Sequence, residues 1–163
     1  MTQDGAALQR SEGERAVELA YRAVSQRERT VAEMRTLLGR KRVGPHEVEA
    51  AVEELTAAGY LDDAGYAERF AEDKRTLQSW GEERIARDLA RRGVEPGLIE
   101  RALAADGPED EFRRAVDLLT QKVRTAPGDE RERNRAWSML IRRGYPSELA
   151  YEAVRQFSRD EAA

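Results

Sequence analysis

The stretch Gly59-Tyr60-Leu61-Asp62-Asp63-Ala64-Gly65-Tyr66-Ala67-Glu68-Arg69-Phe70 decides how the chain is read. Upstream of it, Val48, Ala51, Val52 and Leu55 recur at helical spacing and define one buried helix face. Gly59 follows where a residue with positive φ ends a helix without a Cβ penalty. Tyr60 and Leu61 are then placed to fold back onto the apolar face just left. Asp62 or Asp63 accepts a hydrogen bond from the free N–H groups of a next helix that begins near Ala64. Tyr66 and Phe70, four residues apart, share one face of that helix. One short segment therefore closes one helical unit and opens the next.

Working outward, Ser11 and Glu14 have capping-box spacing, which predicts a helix start after a polar tail at 1–13. Val17, Ala20, Tyr21 and Val24 form the expected inward stripe of that helix. Thr30 and Glu33 make a second box, opening a helix with Val31, Met34, Leu37 and Leu38 inward. Gly44-Pro45 breaks it, and Pro45 suits a first helical turn. Residues 14–61 thus read as one three-helix unit. The second, 62–106, carries Tyr66, Phe70 and Leu77, an interruption at Trp80-Gly81, then Ile85 and Leu89 up to Arg91-Arg92-Gly93. Pro96 reopens a short helix with Leu98, Ile99, Ala102 and Leu103. The third, 107–158, carries Phe112, Ala115, Val116, Leu119 and Val123, a break at Pro127-Gly128, then Trp137, Leu140 and Ile141 before Arg142-Arg143-Gly144. Ala150, Ala153, Val154 and Phe157 close it, and 159–163 is a short tail.

These units are copies. Leu38, Leu89 and Leu140 recur at a spacing of 51 residues, and the same offset aligns Val43, Val94 and Tyr145. It also aligns Val48 with Ile99 and Ala150, Ala51 with Ala102 and Ala153, and Val52 with Leu103 and Val154. A fixed period of this length argues for tandem supersecondary units. Three helices per period, with a tight turn before the last, have helix-turn-helix geometry. The expected fold is all-α: an elongated array of three tandem three-helix repeats, each leaning on its neighbour because its own core is thin.

Composition narrows the function classes. Of 163 residues, 37% are charged and only 6% aromatic, which favours helices with wide solvated faces over a sheet. No apolar run approaches the ~20 residues of a membrane span. The start Met1-Thr2-Gln3-Asp4-Gly5-Ala6-Ala7 lacks the basic and apolar regions of a secretory signal. Cysteine is absent, which excludes disulfides and thiolate metal sites. The expectation is a cytoplasmic monomer that does not engage a membrane. Its net charge of −4, from 32 acids and 28 bases, argues against a free-standing nucleic-acid binder, which gains affinity by counterion release.

The opening stretch resembles the most recognisable segment of the RecX family, bacterial regulators of the RecA recombinase: Gly59, Tyr60, Leu61, Asp62 and Asp63, then Tyr66-Ala67 and Phe70. Gly81-Glu82-Glu83-Arg84-Ile85-Ala86-Arg87-Asp88-Leu89 with Arg91-Arg92-Gly93-Val94 is similar to the family's middle repeat, and Arg142-Arg143-Gly144-Tyr145 to its last. The resemblance runs from about Ala16 to Phe157, in this order and at this repeat spacing. The first repeat departs from the pattern, since Arg42 stands where the later copies have Gly93 and Gly144, and Gly39 falls inside the preceding helix. What the resemblance implies is a protein that lies in the groove of a RecA filament on single-stranded DNA. There it would damp the filament's ATP hydrolysis, strand exchange and co-protease activity.

A basic pair recurs with the repeat: Arg40-Lys41, Arg91-Arg92 and Arg142-Arg143, each at the end of a second helix. If the modules stack regularly, the pairs form a discontinuous ridge, widened by Arg84 and Arg87, that meets acidic protein surface or phosphates. The plainer account is that cations in a last helical turn favour the macrodipole. Arg131, Arg133 and Arg135 read as a solvated face, and Trp80 and Trp137 as packing residues. Two rival readings remain, a helical-repeat adaptor for another protein and a helix-turn-helix DNA regulator. Against the latter, the third helix of the first repeat carries Glu47, Glu49, Glu53 and Glu54, which phosphate repels. Weak, nonspecific DNA contact through the arginine pairs stays open. His46 is the only histidine and sits beside Pro45; Asp62-Asp63 has no further ligands at metal-binding spacing. Without a phosphate loop, nucleophile elbow or zinc pattern, no cofactor or catalytic role is expected.

Overall fold

Residues 3–160 are described in a computed structural model, with side chains from Ser11 onward. Among them are nine α-helices and no strand: α1 (Gln3–Gln26), α2 (Val31–Arg40), α3 (Pro45–Ala57), α4 (Asp63–Gln78), α5 (Glu82–Arg91), α6 (Pro96–Ala104), α7 (Pro108–Lys122), α8 (Glu130–Arg143) and α9 (Ser147–Asp160). Local chemistry sets the boundaries. The Thr30 hydroxyl accepts from the Glu33 N–H while the Glu33 carboxylate accepts from the Thr30 N–H, completing the capping box of α2. Pro45 and Pro108 occupy first turns behind extended glycines. Gly59, at φ +81°, turns the chain out of α3, and the Tyr60 N–H returns to the Leu55 carbonyl at 2.8 Å. Asp62 then caps α4, its carboxylate accepting from the Gly65 N–H at 3.1 Å.

The chain divides into two compact units. Unit 1 comprises 1–67 and 90–98, and unit 2 comprises 68–89 and 99–163. In unit 1, Ala16, Ala20 and Ala23 of α1 are buried with Met34, Leu38, Val48, Ala51, Val52, Leu55 and Leu61. α1 packs on α3 and α2. In unit 2, Ala115, Leu118 and Leu119 of α7 meet Ala136 and Leu140 of α8, then Tyr145, Ala150, Ala153, Val154 and Phe157. The periodic leucines Leu38, Leu89 and Leu140 are wholly buried, so truncating any of them to alanine is expected to cost about 2–5 kcal/mol.

Four local expectations are corrected. α1 runs back to Gln3, so Ser11 lies inside the helix and does not cap it, and residues 3–13 of the expected tail are helical. The deep face of α1 is the alanine line, with Val17, Tyr21 and Val24 only half-buried at its flank; small residues let α3 approach closely. Leu77 is 78% exposed, because α4 turns Ala67, Ala71 and Arg75 inward instead. Tyr60 is exposed rather than folded under, although its ring meets the edge of Tyr21 at 5.2 Å; Leu61 alone enters the core. Conversely, Arg42 adopts the left-handed conformation, φ +59°, that Gly93 and Gly144 take at the same place. The first inter-helix turn therefore has the shape of the others despite its side chain. Residues 161–163 of the expected C-terminal tail lie outside the described residues.

Candidate partner-binding site

In unit 1 the turn after α5 meets the start of α2. Gly93 sits at φ +79°, and a Cβ there would lie 2.3 Å from the Ala32 methyl, so the turn rests directly on the helix. The Thr30 hydroxyl, already capping α2, donates to the Arg92 carbonyl at 2.6 Å. Arg92 reaches back, donating to Glu33 Oε1 at 3.3 Å and to the Tyr66 hydroxyl at 3.1 Å. Asp63 accepts from the Val31 N–H at 2.9 Å. Burial holds the Asp63 carboxyl above its ordinary range, partly opposed by that bond. Burial likewise raises the Tyr66 phenol.

These contacts shape a cavity of about 450 Å³ at the junction. Arg27, Arg29, Arg40, Lys41, Arg91 and Arg92 line it against a single acid, Glu33. Glu33 is occupied by Arg27 at 3.2 Å and Arg92 at 3.3 Å, and Arg29 is tied to the Ala23 carbonyl at 3.2 Å. Arg40, Lys41 and Arg91 are exposed at the rim. Two of the three basic pairs, distant in sequence, are thus brought into one concave surface rich in donors and suited to a carboxylate-bearing or phosphate-bearing partner.

The other four predicted contact residues belong to unit 2, where two have structural partners. The Arg84 guanidinium stacks 3.9 Å above the Trp80 ring and donates to the Arg142 carbonyl at 3.3 Å. Arg143 donates to the Gln78 carbonyl. Arg87 and Arg142 are exposed. The Arg84, Arg92 and Arg143 side chains are therefore engaged in holding the fold together, while Arg40, Lys41, Arg87 and Arg142 are exposed. Of the family-motif glycines, Gly59, Gly93 and Gly144 have positive φ, while Gly81 is buried under the Gly144 backbone. Arg131, Arg133 and Arg135 are all exposed, as expected of a solvated face.

Sequence reading missed a buried charge cluster in unit 2. Arg75 is 5% exposed and donates to the Leu103 carbonyl at the end of α6 at 3.1 Å. Asp106 lies 3.6 Å and Glu82 3.7 Å from its guanidinium, and Asp106 also pairs with Arg114. Glu111 is buried and accepts from the Glu82 N–H at 2.9 Å. Burial raises both glutamates above the ordinary range, and pushes the Tyr145 phenol up to about 12. The cluster is internal and holds α6 and α7 to the start of α5. Among the described residues, no group of three or more histidine, cysteine, aspartate or glutamate side chains is placed to hold a metal.

The fold is that of an all-helical repeat protein, with a cationic cavity at the junction in unit 1. Residues 62–103 match the family pattern described as RecX, second three-helix domain, and 109–154 that described as RecX, third three-helix domain. The chain is 37% identical over 147 residues to the regulatory protein RecX of Deinococcus radiodurans, covering 88% of this chain and 70% of that one. It is 39% identical over 136 residues to that of Trichlorobacter lovleyi, covering 80% and 87%. The crystal structure of RecX from Lactobacillus salivarius superposes with a TM-score of 0.80 at 15% identity, covering 91% of this chain and 98% of that one. A second crystal structure, of regulatory protein RecX, gives 0.81 at 21%, covering 94% and 76%. This chain belongs to the RecX family.

Proposed function

We propose that this chain is a regulator of a RecA-type recombinase filament on single-stranded DNA, inhibiting its ATPase, strand-exchange and co-protease activities by binding, without chemistry of its own. Family membership supports the regulatory role, since the relatives are named regulatory protein RecX. The observation that carries the contact is the unit 1 cavity, with six bases against one acid. A donor-rich concavity favours carboxylates or phosphates through charge-assisted hydrogen bonds. Duplex-reading regulation has less support. Glu49 of α3 is bound bidentately by Arg35 at 2.8 and 3.0 Å, which fixes an acid on the helix that would have to enter a groove. Among the described residues no helix is long and apolar enough to cross a membrane. A cytoplasmic monomer remains the working picture, with DNA contact confined to weak, nonspecific association.

The test is RecA ATPase on single-stranded DNA, titrated with this protein. Inhibition well below one molecule per RecA is expected. The Arg40→Glu/Lys41→Glu variant should need about tenfold more protein, with helicity by circular dichroism unchanged. Arg92 is the wrong residue to reverse, because its guanidinium ties Glu33 to Tyr66. No inhibition at excess folded protein sinks the RecA reading. Full inhibition by the double variant removes the cavity from the contact.

A further inference from the structure

A second concavity lies in unit 2, between α8 and α9, with a volume of about 880 Å³. Its lining runs along α8 from Glu130 to Trp137 and along α9 from Tyr151 to Arg159, at intervals of three, four and seven residues on each helix. That is one stripe on each of two helices, about 10 Å long, which makes a trough rather than a round pocket. Val154, buried, forms its floor. The Trp137 indole N–H is held by the Ser147 carbonyl at 3.2 Å, which fixes the ring. Tyr151 is 62% exposed, an aromatic side chain left in water beside an apolar trough.

Charge selects the occupant. Arg133 on one wall and Arg155 and Arg159 on the other flank the trough against the single carboxylate of Glu130. Arg155 lies 3.5 Å from Glu152, whereas Arg133 and Arg159 have no carboxylate partner among the described residues. Apolar floor, an aromatic ring from each helix and arginines on both rims are the complement of an amphipathic helix with acidic flanks. A phosphodiester strand lying along the same line would carry its charges past Glu130. A helix keeps its carboxylates on the flanks that face the arginines.

We propose that the α8/α9 groove is a docking site for an acidic, amphipathic helical segment of a partner protein. It involves none of the residues of the unit 1 cavity, so either site stands if the other fails. The experiment uses full-length protein and fluorescein-labelled helical peptides of about four turns. One bears a Leu/Phe stripe with glutamate flanks, the other the same stripe with lysine flanks. Saturable anisotropy is expected for the glutamate peptide alone. Tyr151→Ala should weaken it by about tenfold, as should Arg133→Glu/Arg159→Glu, with circular dichroism unchanged because these side chains are exposed. Absence of saturation, equal binding of the lysine peptide, or an unaffected Tyr151→Ala overturns the proposal. So does competition by oligo(dT) that Tyr151→Ala abolishes, which assigns the groove to nucleic acid. Sedimentation showing a dimer that Tyr151→Ala dissolves assigns it to a second copy and overturns the proposal equally.

Discussion

Two turns, one in each unit, solve the same packing problem with different chemistry. In unit 1 the turn Arg92-Gly93 meets the start of α2; in unit 2 the turn Arg143-Gly144 meets the start of α5. The 51-residue offset maps one onto the other, Thr30 onto Gly81 and Val31 onto Glu82. The Arg92 carbonyl accepts from the Thr30 hydroxyl at 2.6 Å, and the Arg143 carbonyl from the Gly81 N–H at 2.8 Å. The Val31 N–H donates to Asp63, the Glu82 N–H to Glu111. Where the first junction uses a side chain as spacer, the second brings backbone onto backbone. Glu33, which maps onto Arg84, receives two arginines in unit 1; Arg84 instead lies on Trp80 in unit 2. The spacer leaves room for a cationic cavity.

The sharpest way to break this comparison is to add one carbon. A Cβ on Gly81 would lie 2.4 Å from the Gly144 carbonyl carbon and oxygen, and one on Gly144 would lie 2.2 Å from Arg84 Cβ and 2.6 Å from its amide nitrogen, at φ +92°. Backbone cannot step aside as a flexible side chain can. Gly81→Ala and Gly144→Ala are each expected to cost about 3–4 kcal/mol. Gly93→Ala meets only the Ala32 methyl at 2.3 Å, at a similar φ, and should cost about 2 kcal/mol. Urea midpoints of the three variants check the order. Equal losses would erase the distinction between the junctions.

The next effect concerns the spacer itself. Thr30 is wholly buried, caps α2 and holds the Arg92 carbonyl. Thr30→Ala removes the cap and strands that carbonyl, for a loss of about 2 kcal/mol. Thr30→Ser keeps the hydroxyl and should lose under about 1 kcal/mol. If serine fails as badly as alanine in thermal unfolding, the hydroxyl bond is not what joins the turn to α2.

What was legible in the sequence follows the same division. The 51-residue period, the Thr30–Glu33 box and the turn at Gly59 are local patterns, read from spacing because helix caps and apolar stripes act within a few residues. The recurrence of the basic pairs was also visible. That Arg92 bonds Glu33 and Tyr66 and Arg143 bonds the end of α4, while Arg40 and Lys41 are exposed, was not, since the partners of the first two lie far away in the chain. Arg42 looked like a break in the pattern because sequence shows the side chain and not the φ it adopts. Buried Arg75 and Glu111 were hidden by a good general rule, that charges stay outside. The useful signal was an acid opening α4 and another in the first turn of α7, each reaching the first amide of the helix at a junction.

Those two acids give the smallest and most discriminating prediction. Burial raises both Asp63 and Glu111 above their ordinary values. A carboxyl with a raised pKa holds its proton more tightly in the folded chain than in the unfolded one. Its contribution to stability therefore falls as pH rises through the interval between the ordinary value, about 4, and the raised one. Glu111→Gln keeps an oxygen for the Glu82 N–H and cannot ionise; Asp63→Asn does the same for Val31. Against wild type, each variant should gain relative stability from pH 4 to pH 7, read as a widening difference in urea midpoint. The gain should be larger for Glu111, which is 4% exposed, than for Asp63, which is only half-buried. A difference that shrinks with pH instead would mean that Arg114 and the neighbouring amides outweigh burial, and that both junctions hold their carboxylates as stabilising charges.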